Sequence, residues 1–107
     1  MLADFNAAND LDDNGNPAGG FVTGTGLHIE WQSGPLGRGE SRIEPNGAFV
    51  ETVIAAARQR INHYQETKFN CEENEQAIIH LDEALHWLNS RTTRREEQAV
   101  EGTHEGN

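Results

Sequence analysis

Arg91, Arg94 and Arg95 fall within five positions of the stretch LNSRTTRREE, and they are three of the eight basic residues in a chain of formal net charge −10. On a helix, Arg91 and Arg95 are one turn apart, which brings them to one face about 6 Å from each other. That spacing suits two phosphate oxygens or a diphosphate, because a guanidinium donates paired hydrogen bonds to such groups. A structural role fits the same residues. Bases in the last turn of a helix favour the negative end of its dipole, and here they can pair with Glu96 and Glu97. The spacing alone leaves both roles open.

Other residue types with chemical potential form no such pattern. The five histidines stand at 28, 63, 80, 86 and 104. His80 and His86, six apart, point to different sides of a helix, and neither belongs to an HExxH arrangement, so surface positions are expected and no metal site is assigned. Cys71 is the single cysteine, which excludes an intrachain disulfide and a multi-cysteine zinc site. Its neighbours Asn70, Glu72 and Glu73 include no base to activate a thiol, and it is expected to be a small buried turn residue. Asp82 and Glu83 are adjacent on a helix and so point about 100° apart, as a solvated face does. Gly24 and Gly26 form a Gly-x-Gly, but a strand pattern follows where the dinucleotide fingerprint requires a helix. No catalytic residue and no cofactor is assigned, and these residues give catalysis little support.

The elements that must hold the arginines are legible from periodicity. Residues 1–20 contain four aspartates, no base and little alternation, and are expected to be a flexible acidic arm. In LHIEWQ, Leu27, Ile29 and Trp31 alternate with polar residues, so a strand with one buried face is predicted, with a tight turn at Gly24 and Gly26. An antiparallel β-ribbon is placed at about 21–34, and the Gly- and Pro-rich residues 35–45 are read as a loop. Over about 46–97 the period becomes helical. Val50, Val53, Ile54, Ala57, Ile61 and Tyr64 trace one stripe, with Asn46 as N-cap. Ala77, Ile78, Leu81, Ala84, Leu85 and Leu88 trace another, with Trp87 at its side and Asn70 and Glu73 as a capping box. The fold class is α+β: a short N-terminal antiparallel ribbon followed by a long antiparallel helical hairpin, oligomeric, with a single domain over 21–104 and an irregular tail at 98–107.

Composition bounds the partners. Apolar residues are 35% of 107, and mean hydropathy is −0.75, so a lone copy buries a thin core and self-association is one of the few ways left to gain stability; either the strand region or a second copy of the hairpin covers the rest of the helical stripes. No run approaches the ~20 apolar residues of a membrane span, and the acidic MLADFNAANDLDD does not read as a signal peptide, so an intracellular protein without membrane contact is expected. The acidic balance opposes general binding to DNA or RNA, which relies on many basic contacts.

Four segments in order, WQSGP (31–35), PNGAFVE (45–51), YQETKFNCEEN (64–74) and EALHWLNSRTTRREEQAVEGT (83–103), resemble the phage Thoeris anti-defence family, type one, which shares a helical hairpin with the second anti-CBASS protein. The likeness runs over about residues 20–104 and is most specific in FxCxEN and RTxxRxxxxVEGT. It implies a sponge in the host bacterial cytoplasm that binds a cyclic ADP-ribose isomer, the glycocyclic signal of Thoeris TIR proteins, without cleaving it. It also implies assembly from dimers to hexamers and, in some members, a separate site for the cyclic oligonucleotides of CBASS, which is not assigned to residues here. A sponge directed mainly at CBASS cyclic di- or trinucleotides, a signal-degrading enzyme and a purely structural phage protein are the alternatives.

By motif, the resemblance places ligand binding on Tyr64, Asn74, Arg91 and Arg95. Tyr64 would stack on the base, Asn74 would offer amide hydrogen bonds or pack on its other face, and both arginines would take the diphosphate. Arg60, one turn before Tyr64, is an additional candidate beside a solvated role. Gln98 and Ala99 stand where the family commonly carries Arg-Gly, so any contact from that arginine is absent. Asn74 and Arg91 are 17 residues apart on one predicted helix, a separation of about 25 Å. A pocket using all four residues therefore needs the turn of one subunit and the open end of another.

Overall fold

The computed structural model describes residues 4–37 and 39–97 and, for Arg95, Glu96 and Glu97, the backbone alone. The tail expected at 98–107 lies outside the described residues. Two compact units divide between Phe49 and Val50. Each has its own hydrogen-bonded framework and its own thin apolar layer.

The first unit is built on a three-stranded antiparallel sheet in the order β1 (Phe5–Leu11), β2 (Pro17–Gly24), β3 (Leu27–Glu30). The expectation of a flexible arm over 1–20 is overturned here, because Phe5 to Leu11 pair with β2 from Gly24 back to Pro17. The strand escapes a periodicity search because it has no buried face: Phe5 is 64% and Leu11 66% exposed. Its signal lies in the turn DDNGN. Asp12 Oδ1 accepts the backbone N–H groups of Asn14 (2.9 Å) and Asn16 (3.0 Å), and Gly15 takes a φ of 80°. A register shift interrupts the ladder between Asn9 and Leu11. Opposite it, a Cβ on Gly20 would lie 2.2 Å from the Ala8 carbonyl oxygen, so only glycine fits. The turn expected at Gly24 and Gly26 is present as Thr25-Gly26, which joins the paired Gly24 and Leu27. Of the three apolar residues expected on one buried face, Ile29 and Trp31 are half-buried, whereas Leu27, beside the turn, is exposed.

After β3 the chain returns along itself. Trp31 forms a parallel bridge with Ala48, through Gln32 N–H to Ala48 O (2.9 Å) and Ala48 N–H to Glu30 O (2.7 Å). Asn46 is not the N-cap expected. Its Oδ1 accepts Ser33 N–H (2.8 Å) and its Nδ2 donates to Ser33 O (3.1 Å), which closes the loop instead. The following helix consequently starts at Val50, four residues later than its expected cap.

The second unit is an antiparallel hairpin of α1 (Val50–Gln65) and α2 (Glu72–Glu97). Ile78 is the sole side chain that is buried among the described residues, at 8% exposure, while Val53, Ile54, Ile61, Ala77, Leu81, Ala84, Leu85 and Leu88 are half-buried. Val50, Ala57 and Tyr64, at the edge of the expected α1 stripe, are exposed. Arg58, half-buried, crosses to Asp82 on α2 with two hydrogen bonds, Nε to Oδ1 (2.5 Å) and Nη2 to Oδ2 (3.2 Å). The Asp82 hydrogen bond and charge raise the Arg58 pKa, which keeps this cross-helix tie charged.

The turn is held by side chains that imitate backbone. Gln65 Oε1 accepts Cys71 N–H (3.0 Å) and Gln65 Nε2 donates to Cys71 O (3.1 Å), so the last residue of α1 grips the residue before α2. The expected Asn70–Glu73 capping box does not form, because Asn70 Nδ2 donates back to Thr67 O (2.8 Å). Glu72, Glu73 and Glu75 instead place negative charge at the positive end of the α2 dipole. Cys71, expected to be buried, is exposed, since a six-residue connection has no second layer to cover it.

Candidate functional site

The hairpin sets the candidate residues at its two ends. Tyr64 ends the outward face of α1 and is 39% exposed. Arg60, one turn earlier, donates from Nε to the Tyr64 hydroxyl (3.2 Å), with its guanidinium carbon 5.1 Å from the ring centroid. The structure therefore joins the additional candidate Arg60 to Tyr64 as a cation–aromatic pair. Asn74, half-buried in the first turn of α2, makes no side-chain hydrogen bond among the described residues. It stands beyond the Gln65–Cys71 clamp, and so at the same end of the hairpin as Tyr64.

Arg91 and the backbone of Arg95 belong to the last turns of α2, near the open end. From Asn74 to Arg91 the helix runs without interruption, so the expected separation of about 25 Å holds. One hairpin thus brings Arg60 to Tyr64 but does not bring Tyr64 or Asn74 to Arg91. The Arg95 side chain, and the pairing of these arginines with Glu96 and Glu97, lie outside the described residues.

Around Arg91 the surface carries a shallow depression of about 260 Å³, lined by Trp87, Ser90, Arg91 and Arg94. Trp87 is 71% exposed and meets His86 edge-on, with ring centroids 5.6 Å apart at 69°. Neither Arg91 nor Arg94 forms an ion pair among the described residues, in contrast to Arg58 with Asp82. The spacing of 87, 91 and 94 is helical and carried the signal, but sequence reasoning took Trp87 as a flank of the apolar stripe and assigned Arg94 no ligand. Among the described residues, no group of three or more His, Cys, Asp or Glu side chains is placed to hold a metal ion.

Fold and site together define a small helical-hairpin protein with a cation-bearing open end and an aromatic turn. The sequence pattern of the family described as Acb2/Tad1, hairpin domain, matches residues 25–93, and the chain belongs to that family. The match begins at the β2–β3 turn, takes in Arg60, Tyr64, Asn74 and Arg91, and stops before Arg95. The chain is also 44% identical over 77 residues to Thoeris anti-defense 1 of Bacillus phage SBSphiJ7, across 72% of this chain and 51% of that protein. It therefore spans about half the length of the curated relative it matches. The family resemblance read from WQSGP, PNGAFVE and the two hairpin motifs agrees with both.

Proposed function

We propose that this chain is a phage anti-defence sponge that acts in the host bacterial cytoplasm, binding a cyclic ADP-ribose isomer and holding it intact. The observation that carries the reading is the identity to a Thoeris anti-defense protein, together with a family match that includes the turn aromatic and the first open-end arginine. The chemistry fits an adenine diphosphate. Tyr64 supplies a stacking face, Asn74 an amide without a partner among the described residues, and Arg91 and Arg95 the cations for the diphosphate.

The 25 Å span supports an intermolecular site. Tyr64 and Asn74 of one subunit meet Arg91 and Arg95 of another, and a two-fold dimer of hairpins repeats the arrangement twice. The thin core supports this assembly, since a hairpin in which Ile78 alone is buried among the described residues leaves apolar surface for a second copy to cover. Sequestration needs no catalytic group, and none is invoked.

Calorimetric titration with 1''–2' and 1''–3' glycocyclic ADP-ribose, and with cyclic di- and trinucleotides, tests the reading. Tight binding of one glycocyclic isomer, weakened at least tenfold by Arg91→Ala, is expected, because a charge-assisted hydrogen bond contributes about 1.5–3 kcal/mol. Binding confined to cyclic oligonucleotides would replace the Thoeris reading with a CBASS one. No binding to any of them would leave a structural phage protein.

A further inference from the structure

The depression at the open end differs from its surroundings in three respects. It holds an indole that is 71% exposed, two guanidinium groups with no ion pair among the described residues, and a hydroxyl. Trp87, Arg91 and Arg94 follow one another at four and three residues along a continuous helix, so they form one strip without help from another element. His86 touches the indole by its edge, which leaves no ring stacked on its face among the described residues. In a chain of net charge −10, two cations without an ion pair among the described residues beside an open aromatic face are a specific feature. Phosphate would take the guanidinium groups and a flat base the indole.

We infer that Trp87, Ser90, Arg91 and Arg94 of a single hairpin form a self-sufficient half-site for a nucleoside diphosphate, with Trp87 as the base-stacking residue and Arg94 as a second phosphate-binding residue. The inference rests on the proposed function for its biological ligand, since it puts Trp87 beside the arginines of the composite pocket. It does not need the second subunit. The open end captures a nucleotide first, and Tyr64 and Asn74 of a partner then close over what is already held.

The test uses ADP, adenosine and pyrophosphate as probes, with saturation-transfer NMR detecting adenine protons and calorimetry giving affinities. The intact chain is compared with Trp87→Ala, Arg94→Gln and the Tyr64→Ala/Asn74→Ala double variant. Expected are ADP binding stronger than that of either fragment, and ADP binding in the double variant that is weakened, because Tyr64 and Asn74 no longer close over the nucleotide, but still detectable. Loss of the stack in Trp87→Ala weakens ADP by roughly fivefold to a hundredfold, toward the pyrophosphate value. Arg94→Gln weakens ADP and pyrophosphate but not adenosine.

Failure of ADP to bind, or ADP binding that survives Trp87→Ala and disappears in the double variant, would overturn the half-site. So would a Trp87→Ala variant that changes only the oligomer size, which would make the indole a contact between copies. The composite sponge is judged separately: glycocyclic ADP-ribose bound equally by Trp87→Ala and wild type removes the half-site and leaves the sponge. ADP binding at Trp87 without any binding of the glycocyclic isomers does the reverse.

Discussion

If Tyr64 and Arg91 in one pocket come from different subunits, two inactive variants should restore each other when mixed. Tyr64→Ala removes the stacking ring at the turn, and Arg91→Ala removes a cation near the open end of the same hairpin, about 25 Å from Asn74. Each variant alone places a lesion in every site and should bind more weakly, by about fivefold or more for the lost stack and about tenfold or more for the lost charge-assisted hydrogen bond. When the two chains are co-expressed in equal amounts, a site is intact only if its turn comes from the arginine variant and its open end from the tyrosine variant. Random assembly makes that true of about a quarter of sites, and the fraction is the same for dimers and hexamers. Titration calorimetry reads it directly as the number of high-affinity sites per chain. Recovery near a quarter of the wild-type number supports the composite pocket, whereas no recovery in mixtures shown to contain both chains would place all the residues of a site on one subunit and refute the reasoning.

Other consequences concern the scaffold and the stacking residue. Ile78→Ala should lower unfolding free energy by about 2–3 kcal/mol in a denaturant titration, the lower part of the usual range because Ile78 retains 8% exposure and its surroundings can collapse. Gly47→Ala should lower the melting temperature, since its Cβ would lie 2.5 Å from the Trp31 carbonyl carbon and oxygen and 2.7 Å from the Gln32 nitrogen, whose N–H donates to Ala48 in the bridge. An unchanged melting curve would show that this loop does not stabilise the sheet. Tyr64→Phe keeps the ring and loses the hydroxyl that accepts the Arg60 hydrogen bond, so ligand affinity should stay within about threefold while Tyr64→Ala loses about fivefold or more. A large loss in Tyr64→Phe would make the Arg60–Tyr64 pair part of the binding surface.

The α2 stripe was fully legible because six apolar residues repeat at helical spacing, and each is half-buried or buried as expected. The first strand was not. FNAANDL has no buried face, so neither period nor hydropathy marks it, and only the Asp-Asn-Gly turn that follows announces a hairpin. Asn46 and Asn70 misled for a common reason. Asparagine caps helices and closes loops with the same short amide, and here both spend it on nearby backbone, Ser33 and Thr67. At the site, family motifs picked out residues at opposite ends of the hairpin, and helix arithmetic puts about 25 Å between Asn74 and Arg91. Trp87 was missed because a tryptophan bordering an apolar stripe is indistinguishable by spacing from one that packs into it, and only its exposure separates the two.

The central claim is intact sequestration, and the most direct measurement is recovery of the ligand. Purified protein is loaded with the tighter-binding glycocyclic ADP-ribose isomer, freed of excess by gel filtration, held at growth temperature and then heat-denatured, and the released nucleotide is identified by mass spectrometry. Release of the unchanged cyclic isomer in proportion to the bound sites is the predicted result. Recovery of linear ADP-ribose or smaller fragments would contradict it and make the protein a signal-degrading enzyme.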